Sequence, residues 1–203
     1  MSLNALGSLL EAAPQYVLLR ESLRPSRAVS RAQVLSDAVP FILANLWPGL
    51  DVPMLVVTPR PEDARLLHDQ LLVWSGEDDS VLHFPETEAL PFERLVTDAD
   101  TVQRRLSTLV RLAAPGGRSP IVVASATAIS QKTVDREAFV SVSHTLERDQ
   151  SIDLDELLGQ WRRMGYQLEP GVSGPGQVSR RGGILDIYPV DALYPARIEL
   201  WGS

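Results

Sequence analysis

Pro175-Gly176-Gln177-Val178-Ser179-Arg180-Arg181-Gly182-Gly183-Ile184-Leu185-Asp186-Ile187-Tyr188-Pro189 is the stretch around which this 203-residue chain is read. Val178 on one side and Ile184, Leu185, Ile187 and Tyr188 on the other are β-branched, aliphatic or aromatic, and they flank Arg180-Arg181-Gly182-Gly183. That is the pattern of a strand, a tight turn and a second strand. The Gly-Gly pair lets the backbone take positive φ without a Cβ penalty. The hairpin therefore carries Arg180 and Arg181 beside its bend. A guanidinium is a planar fork of donors suited to carboxylates, phosphates or an aromatic face, so the pair is a candidate recognition element. Charges on a surface hairpin also serve solubility and blunt an edge strand, and the pattern alone favours that second reading.

Working outward, Asp153 is placed to cap a helix whose inner face is Leu154, Leu157, Leu158 and Trp161, with Gly165 placed to end it. Further strands are expected at residues 166–168, 178–180, 184–188 and 197–201. Apolar alternation at Ala138, Val140 and Val142 predicts a half-buried strand over 138–145. One helix against a mostly antiparallel sheet makes residues 132–203 a small α+β domain.

Upstream, short apolar runs alternate with amphipathic segments. Strands are expected at 16–19, 54–57, 81–84 and 121–124. Helices are expected at 3–12, at 28–46 with a kink at Pro40, from Pro61 to about Trp74 with Gly76 closing it, and from a cap at Thr97 or Asp98 until Gly116-Gly117. Such alternation indicates βαβ units and a parallel sheet covered on both faces, so residues 1–131 read as an α/β domain. Ligands of such folds sit at the carboxyl ends of strands, which directs attention to the loop after the first expected strand. That loop, with Arg20, Arg24, Arg27 and Arg31, has neither the glycines nor the Lys-Ser/Thr pair of a phosphate-binding loop. The four arginines form a solvated basic rim that could still take an anion.

A net charge of −7 argues against a surface that wraps nucleic acid. With no cysteine there are no disulfides and no thiolate zinc site. His68, His83 and His144 lie in unrelated contexts, no serine sits in a nucleophile elbow, and no carboxylate pair is tied to a base. No apolar run approaches membrane-spanning length, and the chain reads as soluble and cytoplasmic.

The Gly165-Tyr166 pair, Pro175-Gly176, the run from Arg181 to Pro189, and Ala196 to Gly202 resemble the UvrB-interaction domain. That domain is shared by the nucleotide-excision-repair protein UvrB and the bacterial transcription-repair coupling factors (Mfd). Leu55 to Pro59, Glu62 to Ala64, His83 to Glu93, and Val122 to Gln131 resemble the N-terminal, UvrB-homologous region of the coupling factors. The resemblance implies a degenerate helicase-like (RecA-like) parallel-sheet domain without a P-loop at 1–131, followed by a UvrA-docking α+β domain at 132–203. It also implies a fragment with no enzymatic activity and no cofactor of its own. ATP and Mg²⁺ belong to the motor domain of a longer parent protein, an ATP-dependent DNA translocase, which meets RNA polymerase and DNA through other parts.

Residue by residue, Arg181 falls on the arginine that precedes the family's Gly pair, with Arg180 its neighbour. Tyr188 stands where phenylalanine is more usual and adds a hydroxyl. Gln167 stands near where an arginine often follows the Gly-Tyr pair, leaving that basic contact weakened or passed to Arg162 or Arg163. Two other readings compete: a fragment of an active UvrB-type or helicase-type ATPase, and a DNA-damage-binding domain. The missing phosphate loop weighs against the first and the acidic balance against the second.

Overall fold

The computed structural model describes residues 6–23, 29–50, 52–76, 79–87, 98–113, 118–143 and 145–201. Arg24, Arg27, Thr97, Gly116, Gly117, His144, Gly202 and the part of the 83–93 segment beyond Thr87 lie outside them. The chain forms two compact units, Met1–Leu90 with Ala114–Gln131, and Pro91–Ala113 with Lys132–Ser203. Pro91–Ala113, assigned to the first domain by sequence pattern, thus groups with the second unit.

In the first unit, helices α1 (Gly7–Glu11), α2 (Pro14–Ser22) and α3 (Val39–Leu46) precede strand β1 (Met54–Thr58), and helix α4 (Pro61–Ser75) and strand β2 (Val81–Phe84) follow it. The expected strand at 16–19 is instead part of α2. Pro14 opens that helix, where its missing N–H costs nothing, and Tyr16 is its buried residue while Leu18 is 65% exposed. A short apolar run does not by itself distinguish strand from helix. The helix expected over 28–46 is also shortened. Pro40 lies in the first turn of α3 and so starts the helix instead of kinking a longer one.

After β2 come helix α5 (Ala99–Ala113), which belongs to the second unit, then strand β3 (Ile121–Ser125) and helix α6 (Ala126–Ser130). The first unit's sheet is parallel with order β1-β3-β2, and Met54 and Val81 both pair with Ile121. Central strand β3 is buried throughout, as a strand paired on both edges requires. The core gathers Ala44, Trp47, Ala64, Leu71, Val81, Ile121 and Val123. Trp47 donates from Nε1 to the Ser119 carbonyl at 2.7 Å. Helix α4 begins at Pro61 with Glu62 and Asp63 in its first turn, and ends at Gly76 in the left-handed region, φ 78°. The expectation that both faces of the sheet are covered fails at β1, where Leu55 and Val57 are 56% and 46% exposed.

Side chains tie the ends of β2 and β3 together. Ser125 caps α6 by accepting from Ala128 N at 3.0 Å, and its hydroxyl donates to Glu86 Oε2 at 3.0 Å. Gln131 brackets Thr87, accepting from its N–H at 2.8 Å and donating to its carbonyl at 3.0 Å.

In the second unit, helix α7 (Arg136–Val142) and helix α8 (Leu154–Arg163) precede strands β4 (Gln167–Leu168), β5 (Gln177–Arg181), β6 (Ile184–Tyr188) and β7 (Ala196–Glu199). The strand expected over 138–145 is replaced by α7. Asp135 accepts from Ala138 N at 3.0 Å, and this cap decides a segment whose apolar side chains stay unburied, with Val140 47% and Val142 53% exposed. Asp153 caps α8 as expected, accepting from Asp155 N at 2.9 Å and Glu156 N at 3.0 Å. Gly165 follows the helix with φ 99°. The sheet order is β4-β5-β6-β7, with β4 parallel to β5 and the other pairs antiparallel. Its inner face, Val178, Leu185 and Ile187, packs against Leu157, Leu158 and Trp161 of α8.

Candidate protein-docking site

The β5–β6 hairpin has the register that places Arg181 opposite Ile184, with Gly182 and Gly183 at the bend. Gly182 takes φ 62°. The second glycine is favoured by a close backbone approach. A Cβ on Gly183 would lie 3.3 Å from the Leu200 carbonyl, because the chain after β7 bonds back to it, Leu200 N to Gly183 O at 2.9 Å.

Period-two alternation sorts the candidate residues by face. Val178 and Arg180 pair with Ile187 and Leu185 on the helix side; Gln177, Ser179 and Arg181 pair with Tyr188, Asp186 and Ile184 on the outer side. Gln167 pairs with Gln177, which places it at an outer-face position as well. The fold therefore assembles Arg181, Tyr188 and Gln167 on one face. It does not bring Arg180 or Arg163 there. Arg180 donates to Asp155 Oδ1 at 2.7 Å, fastening the hairpin to the start of α8. Arg163, in the last turn of α8, lies near Gly159 one turn earlier, on the side of the helix away from Leu157, Leu158 and Trp161. Arg162 shares that last turn and is exposed.

The outer face is organised by contacts that no sequence pattern indicated. Gln177 Oε1 accepts from Ser173 N at 2.7 Å and Gly174 N at 3.0 Å, which folds the segment before β5 over that strand. Ser179 is buried there and donates to the Pro170 carbonyl at 3.1 Å. The same carbonyl accepts from Arg181 Nη2 at 3.1 Å. Arg197 reaches across from β7 to Asp186, donating from Nε at 2.7 Å and Nη2 at 3.0 Å. Of the three arginines of this sheet, Arg180 and Arg197 thus meet carboxylates directly, whereas the described hydrogen bond of Arg181 is to a neutral carbonyl. Tyr188 donates its hydroxyl to the Leu193 carbonyl at 2.8 Å, so the hydroxyl that distinguishes it from phenylalanine buttresses the following loop.

The fork of Arg197, against a smaller opposing effect of desolvation, holds the Asp186 carboxyl below its ordinary value of 3.8; the charges of Arg197 and Arg181 add to the lowering. A depressed carboxylate contributes stability that is present above the ordinary value and is lost as pH falls through the lower folded one. The expected result is that an NMR titration finds the Asp186 carboxyl ionising below 3.8 in the native chain and returning to the usual range in Arg197→Met. An unchanged titration in the variant would remove the fork as the cause.

Of the basic rim, the two described arginines, Arg20 and Arg31, do not lie at the end of a strand. Arg20 sits on α2, paired with Glu11 and 5.8 Å from the ring of Tyr16, and Arg31 borders a cavity with Tyr16 and Leu19. One loop that does follow a strand in this unit runs from β1 into α4. Its helix N-terminus carries Glu62 and Asp63, and Asp63 accepts from Arg60 at 3.0 and 3.1 Å. Among the described residues no group of three His, Asp or Glu is placed to hold a metal ion, and no helix is long and apolar enough to cross a membrane.

Residues 145–203 match the family model described as the UvrB interaction domain. Over 185 residues the chain is 34% identical to the transcription-repair-coupling factor of Bacillus subtilis, covering 91% of this chain and 15% of that protein. The coupling factor of Myxococcus xanthus is 30% identical over 188 residues, 90% of this chain and 16% of its own length, and that of Escherichia coli is 24% identical over 149 residues. The helix-backed sheet that carries Arg181 is therefore a UvrB interaction domain. The chain belongs with the transcription-repair coupling factors, to whose N-terminal region it corresponds, and it spans about a sixth of the length of these relatives.

Proposed function

We propose that this chain is a protein-docking module that recruits UvrA for transcription-coupled nucleotide excision repair, through the outer sheet face that carries Arg181. The observation that carries the reading is the state of that arginine. It stands beside the hairpin bend, exposed and held by a neutral carbonyl, while Arg180 and Arg197 are matched to Asp155 and Asp186. A guanidinium so placed presents a charge for a carboxylate on a partner. RNA polymerase and DNA are bound by other parts of the parent protein, in the cytoplasm. Immobilised chain should retain purified UvrA; failure to retain it at tens of micromolar would count against the proposal.

We further propose that the first unit is a degenerate helicase-like (RecA-like) domain with no enzymatic activity and no nucleotide cofactor. A phosphate at the α4 N-terminus would meet the carboxylates of Glu62 and Asp63 in place of bare amides, and the segment offers neither the glycines nor the lysine of a phosphate loop. Isothermal calorimetry with Mg-ATP is expected to show no saturable heat. A micromolar Kd abolished by substitutions at Arg60 or Arg31 would reverse this assignment.

A further inference from the structure

Between β6 and β7 the chain runs Pro189-Val190-Asp191-Ala192-Leu193-Tyr194-Pro195. Side chains from elsewhere in the same unit hold its backbone at successive residues. The Tyr166 hydroxyl accepts from Val190 N at 3.3 Å, Ser107 donates to the Asp191 carbonyl at 2.9 Å, the Gln103 amide donates to the Ala192 carbonyl, and Tyr188 donates to the Leu193 carbonyl at 2.8 Å. Ala192 N closes a turn onto the Pro189 carbonyl at 3.3 Å, and a proline at each end fixes φ. Within this restrained backbone the side chains of Leu193 and Tyr194 are 76% and 78% exposed.

Loops that present function usually lose conformational entropy when they bind. This one has peptide groups bonded at each residue from Pro189 to Leu193 and so has less ordering to lose, and burial of its two apolar side chains converts more fully into affinity. Tyrosine suits such a role, with a large rigid apolar area and a polar tip. Its position relates it to the arginine. Tyr188 shares the outer face with Arg181 and touches the loop through its hydroxyl, and it lies four residues along β6 from Ile184, the partner of Arg181, or roughly 13 Å at the strand rise.

We propose that Leu193 and Tyr194 form a preformed apolar contact for the same partner protein that receives Arg181, inserting into an apolar pocket separate from the acidic group that meets the arginine. The proposal rests on the UvrA reading and adds to it a second anchor of different chemistry. Continuity of the loop with the arginine-bearing face, and the restraint of a backbone that displays large apolar side chains, are what select this occupant. Gln103 and Ser107 of α5 become positioning residues, acting on affinity without touching the partner.

The test titrates purified UvrA with the 203-residue chain and its variants, at several salt concentrations, with circular dichroism as the folding control. Tyr194→Ala and Leu193→Ser should each weaken binding about fivefold, mainly by faster dissociation, with the salt dependence of Kd unchanged. Arg181→Ala should flatten that salt dependence instead. The double variant Gln103→Ala/Ser107→Ala should weaken binding about two- to threefold while leaving the salt dependence intact. If the native chain binds UvrA and the Leu193 and Tyr194 variants bind equally well, the apolar anchor is wrong and the UvrA reading stands. If the native chain does not bind, both fall. If sedimentation shows the chain self-associating, and Tyr194→Ala abolishes that association without changing UvrA binding, the loop's partner is a second copy and the proposal is overturned.

Discussion

If the proposed docking role holds, replacing Arg181 by alanine is expected to lower affinity for UvrA at least several-fold and to leave the fold in place. The free chain gives up one exposed hydrogen bond, to the Pro170 carbonyl, a change of about 1 kcal/mol or less. The complex gives up a charge. Truncating one side of a hydrogen-bonded charge pair buried in an interface costs about 2–5 kcal/mol, much of it from the stranded partner carboxylate. Arg180→Ala is the matched control. Its guanidinium lies on the helix side of the sheet and its exposed pair with Asp155 contributes about 1 kcal/mol at most, so a slight loss of stability and near-native affinity are expected. Competition binding of the two variants decides the matter, and equal losses would mean that the hairpin contributes undirected positive charge.

A larger effect on stability is expected from Trp161→Ala. Trp161 is 3% exposed, sits at the centre of the core formed by α8 and the inner sheet face, and lies 6.1 Å from the Tyr166 ring. Removing a buried Trp side chain costs about 3–5 kcal/mol. A domain this small has a total stability of the same order, so the variant should lose the second unit altogether. Hydrogen exchange reads the result. Protection at Val178, Leu185 and Ile187 should vanish while that at Val123, in the core of the first unit, persists. Retained protection at Leu185 would show that the sheet does not depend on α8.

What could be read in advance followed from signals with one physical meaning. Gly-Gly between β-branched runs gave the hairpin and its bend, Asp153 and Gly165 bounded α8, and Pro61 and Gly76 bounded α4. The misreadings came where signals conflict. The apolar run at Tyr16 fits a strand or a helix, and Pro14 decides for the helix. The alternation at Ala138, Val140 and Val142 suits a strand, but the Asp135 cap prevails because neither strand face would be buried. Of the candidate site, Arg181 and Tyr188 could be proposed from the motif, and the register then separates Arg180 from them. The anchoring of Arg181 on Pro170, the Asp186–Arg197 fork and the restraint of the loop by Gln103 and Ser107 were not legible. Each joins segments distant in sequence through a backbone carbonyl or a side chain with no local pattern.

The measurement that bears most directly on the central claim is calorimetric titration of the native 203-residue chain into UvrA at physiological salt. The account predicts saturable binding that weakens as salt rises and that Arg181→Ala reduces. Absence of binding at tens of micromolar by the folded native chain would contradict it.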